Sequence, residues 1–321
     1  MMPLLRADLH VHTCHSKVTG TMRFLGSRDC YSPPADVYRV ARARGMDLVA
    51  FTDHDSIDGA LELLNDRPDF SDVVIIGEEV SCRFPDDDIE VHLAVYGMTE
   101  SLHRDLQPLR RNVFDVAARL RDAGVVFALN HLLHFYRGQI PLDRYLRILD
   151  EVPALEARNG AMLAGQNTLI ERLARELPAV ASPTGRFGVV AGSDAHTLRR
   201  VGTTWTSAPG RTPDEFLAAI RRGAASVGGA HGTASTIGGD TYGVIAAYIA
   251  ALAGFGPRDL TGWRRAACCG FAAASLPFQF MPAVIAAKTK MRERRAVASL
   301  AAHLEELDRV PAAEMQTIGP S

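Results

Sequence analysis

The stretch ADLHVHT, residues 7–13, sets an aspartate and two histidines at alternate positions in an otherwise apolar run. In a strand, alternation puts Asp8, His10 and His12 on one face and Leu9 and Val11 on the other. Polar side chains on a half-buried face need partners. Two readings are open: an edge strand with one face in water, or a pair of imidazoles that hold a metal, with Asp8 behind them. The choice rests on what the other strands bring to the same place.

Further short apolar runs follow: DLVAFTDHD, VVIIGEEVS, EVHLAVYG, VVFALNHLLH, ALEARNG and FGVVAGSDAHT. Most are separated by segments of helical period with recognisable ends. Ser32 and Pro33 open one helix and Gly45 closes it. A second begins near Ser101 and stops at Gly124, with Pro108 marking a kink or a late start. A third, TPDEFLAAIRRG, has a Thr212–Glu215 capping box around Pro213, and Gly223 follows its end. Alternating strands and helices predict an α/β fold with a largely parallel sheet, open or closed into a barrel. The exception is the pair VVIIGEEVSC and IEVHLAVYG, separated only by RFPDDD. That spacer is too short for a crossover helix and predicts a hairpin, with Asp86–Asp88 as its solvated turn.

The ionisable residues collect at one end of these runs: Asp53, His54 and Asp55, then Glu78 and Glu79, then His131 and His134, then Asp194 and His196. Parallel strands carry their carboxyl ends on one side of a sheet, so these residues converge there. His92 joins from the middle of the hairpin strand. Imidazole and carboxylate together suit a multinuclear centre of Zn, Mn or Fe. Bidentate contact with phosphate is the functional reading of Arg137, Arg158 and Arg199, all just past strand ends; the alternative is a solvated rim. Asn159 is a candidate for orienting substrate, and Trp205 reads as core. No serine elbow or Cys-x-x-Cys motif is present to supply a protein nucleophile.

Bulk properties narrow the class. The 321 residues suffice for one large α/β domain or two smaller ones, and 47% are hydrophobic. A net charge of −2 gives no basic surface for extended nucleic-acid contact. Five irregularly spaced cysteines argue against a disulfide framework and for a reducing compartment. The opening MMPLLRADLH lacks a basic segment followed by an apolar core, so no secretory signal is expected and the cytoplasm is the default. After residue 229 the character changes: GGAHGTASTIGGD reads as a Gly/Ser/Thr linker to an Ala-rich helical extension, residues 230–321. Within it residues 266–287 carry no charge and KTKMRERR follows. Its length would span a bilayer, but Pro277, Pro282, Gln279 and the many alanines favour buried or dimer-forming helices over membrane association.

Motif by motif, the chain resembles the polymerase and histidinol phosphatase (PHP) domain proteins. DLHVHT, TDHD, GEEVS, NHLLH and GSDAHT match that family's motifs in order, over roughly residues 6–225. The resemblance implies a distorted (β/α)7-type barrel of about seven strands for residues 1–229, and metal-dependent phosphoester hydrolysis. It implies two or three divalent ions: the first on His10, His12 and Asp194, a second on His92 and His131, with Glu79 bridging them. Glu79 is chosen over Glu78 because the motif spacing is Gly77, Glu79, Ser81. His54 and His196 would serve a third ion. Where many members carry an aspartate for that third ion this chain has Lys17, followed by extra residues, so Asp29 and His15 are the candidates to replace it. Two ions about 3.5–4 Å apart share a water and bring its pKa down toward about 7. Asp53 would then orient His54, and Asp8 the first strand.

The expected substrate is a small phosphorylated metabolite or nucleotide. The alternatives are a nuclease acting on nucleic-acid ends and a non-catalytic module that metals hold together.

Overall fold

The computed structural model describes residues 2–17, 26–86, 89–134, 142–255 and 261–309. The strands in chain order are β1 (Leu4–Val11), β2 (Leu48–Phe51), β3 (Val74–Arg83), β4 (Glu90–Tyr96), β5 (Val126–Leu129), β6 (Ala154–Asn159), β7 (Gly188–Gly192), β8 (Thr204–Pro209) and β9 (Ser226–Gly229). The helices around them are α1 (Pro34–Ala43), α2 (Asp58–Asp66), α3 (Glu100–Leu106), α4 (Val113–Ala123), α5 (Leu142–Glu151), α6 (Ala164–Glu176) and α7 (Pro213–Arg221). Three more follow at the end of the chain: α8 (Ala234–Leu252), α9 (Gly262–Ser275) and α10 (Met281–Arg309).

All nine strands join one sheet in the order β7-β6-β5-β4-β3-β2-β1-β8-β9. The crossover helices make β1–β2, β2–β3, β5–β6 and β6–β7 parallel. The short acidic spacer makes β3–β4 the hairpin its length predicts, paired from Gly77↔Tyr96 to Arg83↔Glu90. Asp86 lies in that turn; Asp87 and Asp88 are outside the described residues.

The sheet nearly closes on itself through β1. Its amino-terminal half pairs with β8, antiparallel, from Leu4↔Pro209 to Ala7↔Thr206. Its carboxyl end instead meets the chain leaving β7: Asp194 N donates to His10 O at 2.7 Å, and His12 N donates to Ala195 O at 3.1 Å. The crossing is tight, because a Cβ on Gly192 would lie 2.3 Å from the backbone nitrogen of His10. Glycine is what lets β7 reach β1 there. The result is a distorted α/β barrel with appended helices, and its carboxyl-end mouth carries the motifs.

Local details depart from expectation in physically simple ways. Helix α1 begins at Pro34, with Pro33 rather than Ser32 at the N-cap and no side-chain cap. The expected helix from Ser101 to Gly124 breaks into α3 and α4. Pro108 lacks the N–H to continue it, Asn112 caps α4, and Gly124 ends it at φ 66°. Thr212 caps α7 by accepting from Glu215 N. Part of the stretch read as a linker is ordered structure: β9 takes Ser226–Gly229 and α8 begins at Ala234. Gly229 fits because its φ is 97° and a Cβ would meet Thr203 O at 2.4 Å. The hairpin β8–β9 brings the strand number above the expected seven.

Apolar packing holds this frame. Small and medium side chains of the strands (Ala7, Leu48, Ala50, Ala128) cluster with Phe216 and Ile220 of α7. A larger cluster joins β3, β4 and β5 to α4, α5 and α6 through residues such as Leu93, Leu120, Ile148 and Ile170. Among the described residues no single helix is long and apolar enough to cross a membrane. The uncharged run 266–287 is broken by a 3-10 turn at Leu276–Phe278, and only the pair Gly262–Phe278 and Met281–Ala302, bent by 65°, reaches that length and composition.

The C-terminal helices are fastened to the barrel mouth. Asp240 of α8 accepts from His196 N at 3.3 Å and from Thr197 Oγ1. Glu293 of α10 is fully buried. It accepts from Gln166 Nε2 at 3.1 Å and Lys290 Nζ at 2.8 Å, and lies 2.6 Å from His134 Nδ1. A carboxylate this deep requires such partners.

Candidate metal centre

At the mouth, Glu79 stands at the centre of five imidazoles. Its Oε2 lies 3.1 Å from His10 Nε2, 3.4 Å from His12 Nε2 and 3.3 Å from His54 Nδ1. Its Oε1 lies 3.0 Å from His92 Nδ1 and 2.8 Å from His131 Nε2. The two oxygens of one carboxylate thus face different sets of rings, as a bridging ligand would. Glu78, the preceding residue of β3, projects the other way and lies 2.7 Å from His103 Nδ1.

Asp194 Oδ1 completes the first set, at 3.6 Å from His10 Nε2 and 3.3 Å from His12 Nε2. Asp29 Oδ2 makes a further group with His54 Nε2 at 3.5 Å and His196 Nε2 at 2.8 Å. Donor atoms of His12, Asp29, His54 and His196 all fall within 4.8 Å of one another, as do those of His10, His12 and Glu79, of His10, His131 and Asp194, and of His54, Glu79 and His92. Zinc-type ligand distances of roughly 2.0–2.2 Å in a tetrahedron give ligand–ligand edges of about 3.3–3.6 Å. Several of the separations above match that edge.

Two buried ring nitrogens make the same point by elimination. His12 Nε2 and His54 Nδ1 have no hydrogen-bond partner. An unsatisfied buried nitrogen costs roughly 1–3 kcal/mol, and a cation would take both lone pairs. The donor set therefore fits divalent metal.

Charge follows the same pattern. Burial opposes ionisation of Glu79, but the imidazoles, His10 foremost, hold its carboxyl well below the usual range. Asp194 behaves alike, with His10, His12 and His196 outweighing burial. Burial pushes His54 down to about 3, so its ring is neutral and able to ligate. Burial also opposes charge on His92, yet Glu79 raises it to about 9. A cation held beside Glu79 would compete with that proton for the His92 ring.

The outer support comes from residues the motif reading missed. Glu156 of β6 lies 2.7 Å from His10 Nδ1, and its other oxygen accepts from His131 N at 2.8 Å and Asn159 Nδ2 at 2.9 Å. Asn130 Nδ2 donates to Glu79 Oε1 at 2.9 Å. Asn159 Nδ2 also donates to Asp194 Oδ2 at 3.1 Å, so it positions a ligand. The signal for Glu156 was there, an acid between Leu155 and Ala157 in an apolar strand, the same anomaly as Asp8. Glutamine at 156 would set its NH2 either against two N–H donors or against His10 Nδ1, and in the second case it would favour the ring tautomer whose Nε2 carries the proton and cannot ligate. Glu156→Gln is therefore expected to weaken metal binding about 10–100-fold, measured by titrating the metal-free protein with manganese or zinc.

Other candidates are placed elsewhere. Asp53 does not orient His54. Just past the end of β2, Asp53 instead accepts from Thr13 N at 2.5 Å and Thr13 Oγ1 at 2.7 Å. Asp8 does not stand behind the imidazoles. The register slips between Asp8↔Val49 and Val11↔Phe51, which breaks strict alternation. Asp8 accepts from Ser193 and Gly202 instead. His15 turns away to Glu62, 2.8 Å off, which leaves Asp29 beside the third group. Lys17 donates to Asp55 O at 2.6 Å.

Among the described residues, the candidate arginines do not converge on this centre as phosphate hands. Arg158 pairs with Glu171 at 2.7 Å, because the register shift between Glu156 and Arg158 breaks the alternation that would have kept the two on one face. Arg199 is exposed, and Arg200 is buried against Gly160 O. Arg137 lies outside the described residues. Trp205 is capped by Arg6, 3.8 Å above its ring.

Backbone strain marks the mouth as well. Among the described residues, positive φ outside glycine occurs at Asp55 (51°), His131 (26°) and Asp194 (51°), each just beyond β2, β5 or β7. Such conformations persist where neighbours over-determine them. Here His131 N is tied to Glu156 and Asp194 N to His10 O.

A PHP-associated family model matches residues 185–225, which include Asp194 and His196. An uncharacterized protein of Methanocaldococcus jannaschii is 36% identical over 76 residues, covering 24% of this chain and 44% of that one, so the chain spans under half the relative's length. Among solved structures, a two-domain protein of Bacteroides vulgatus, described as containing a predicted PHP-like metal-dependent phosphoesterase, aligns at 15% identity and TM-score 0.48, covering 74% of this chain and 68% of that chain. A lesion-specific endonuclease of Pyrococcus furiosus aligns at 16% identity and TM-score 0.44, covering 70% and 58%.

Proposed function

We propose that this chain, PHP-like in its motifs and in the region matched by the PHP-associated model, is a metal-dependent hydrolase of phosphoester bonds. The observation that carries the reading is the Glu79 carboxylate, with its two oxygens facing separate imidazole sets beside Asp194. His10, His12, Glu79 and Asp194 would hold one divalent ion, His92 and His131 with Glu79 a second, and His54, His196 and Asp29 a third. Bound there, divalent cations supply Lewis-acid stabilisation of phosphoryl oxygens and lower the pKa of the attacking water.

The chain's own residues do the rest. Glu156 fixes the His10 ring so that Nε2 faces inward. Asn159 and Asn130 restrain the carboxylates of Asp194 and Glu79. The preorganised cage spares reorganisation when charge develops on the phosphoryl group.

A small phosphorylated molecule is the favoured substrate over nucleic-acid ends. The centre opens into a cavity of about 610 Å³, within the range of small-molecule sites, and helices α8 and α10 form its far wall. Net charge is −2, whereas extended phosphate-backbone binding calls for a basic groove. Elemental analysis of the purified protein, paired with a phosphoester panel, tests the reading. The expected result is bound Zn, Mn or Fe and turnover of mononucleotides or sugar phosphates at least about tenfold faster than of single-stranded oligonucleotides. Faster oligonucleotide cleavage favours the nuclease alternative. A metal-replete protein inert toward every phosphoester leaves only a structural role for the ions.

A further inference from the structure

We infer that the C-terminal helices α8 and α10 build an apolar leaving-group subsite over the metal centre, so that the substrate is a phosphoester whose non-reacting part is largely apolar. This rests on the phosphoester reading above and names the substrate class for it.

The cavity has two unlike sides. The barrel side is ionic, with Asp29, His54, Glu79, His131, Asp194 and His196. The opposite side is mainly apolar: Met162 of the barrel with Ile237 of α8 and Pro282, Ile285 and Ala286 of α10, joined by Thr241, Thr289 and Lys290 of the same helices. A surface helix ordinarily turns its apolar residues into a protein core and its polar residues outward. Here α10 presents Pro282, Ile285 and Ala286, one turn apart, to a cavity instead. An apolar wall facing an ionic site is the arrangement of a pocket whose ligand touches both.

The wall is built in place, not laid loosely against the barrel. Glu293 is fully buried and ties α10 to His134 and Gln166, residues adjoining the motif histidine and the start of α6. Asp240 ties α8 to the loop carrying His196. The chain leading into α8 is pinned by Gly232 N donating to Met162 O at 2.7 Å. Lys290 is the one lysine or arginine among the described lining residues. Glu293 takes one of its three donors at 2.8 Å, which holds the ammonium at the cavity edge. Among the described residues the subsite is thus mainly apolar, with two threonines in the wall and Lys290 at its rim.

Binding of two non-hydrolysable probes, phenylphosphonate and methylphosphonate, tests this on the full, manganese-loaded chain by calorimetry. Both carry the same anionic head, so their ratio isolates the wall. Phenylphosphonate is expected to bind at least about tenfold more tightly, the discrimination a modest apolar pocket gives. The double substitution Ile237→Asn with Ile285→Asn is expected to bring that ratio near one, and Ile237→Leu with Ile285→Leu to preserve it. A wild-type ratio near one, or a ratio the asparagine pair leaves intact, overturns the inference. If phenylphosphonate is preferred but phenyl phosphate is not hydrolysed, the subsite stands and the hydrolase reading falls. If small phosphoesters are hydrolysed without preference for the aryl group, the hydrolase reading stands and the subsite falls.

Discussion

Glu79→Gln is expected to reduce phosphoester hydrolysis by at least about a thousandfold, equivalent to about 4 kcal/mol of barrier, while the barrel stays folded. Glutamine keeps the volume but replaces one acceptor oxygen with a two-hydrogen donor. Each carboxylate oxygen of Glu79 faces at least two ring nitrogens within 3.4 Å. Whichever way the amide turns, one imidazole set loses the anion that would let it share a cation. Metal content should fall with activity, so elemental analysis and kinetics are read on the same preparation, with circular dichroism reporting the fold. Wild-type turnover in Glu79→Gln would remove Glu79 from the centre. Asp194→Ala and His10→Ala are expected to lose turnover in the same way, since each removes one ligand of the same set.

The second large effect is on stability. Asp8→Asn is expected to cost about 3 kcal/mol, although it removes no atom from the imidazole cage. Asp8 is fully buried at the point where β1, the turn after β7 and the start of the β8 hairpin meet. Its Oδ1 accepts from Ser193 N at 2.8 Å and His10 N at 3.3 Å. Its Oδ2 accepts from Ser193 Oγ at 2.6 Å and Gly202 N at 2.7 Å. Three of the four partners are backbone N–H groups, which can only donate. An asparagine amide must turn its own N–H groups toward at least one of them and leave it buried and unsatisfied, at roughly 1–3 kcal/mol each. The expected readout is a lower denaturant midpoint for the metal-free protein. An unchanged midpoint would show that Asp8 does not hold the barrel closure.

The burial of Asp8 and the cage around Glu79 also show how far the primary structure could be read. Turn chemistry and spacing were legible: RFPDDD is too short for anything but a hairpin, and Gly124 and Thr212 end or begin helices as local rules require. The convergence of TDHD, GEE, NHLLH and SDAHT was legible because strand direction alone carries their side chains to one end of the sheet. The roles of Asp8, Asp53 and Arg158 were not. Each depended on a register or a side-chain direction: the strand register slips between Asp8 and Val11, where Asp8 meets Ser193, and slips again between Glu156 and Arg158, where Arg158 meets Glu171.

By itself, then, the order of residues determined the α/β alternation, the ends of most elements and the chemical kind of the site, because these follow from local propensity and from periodicity. Only the tertiary structure decided which carboxylate oxygen faces which ring, that Glu156 and Asn130 support the ligands, and that α10 walls the cavity with Glu293 as its anchor. Those facts depend on approach between segments as far apart as Gln166 and Glu293. Packing fixes such distances to tenths of an ångström, and no pattern within either segment encodes them.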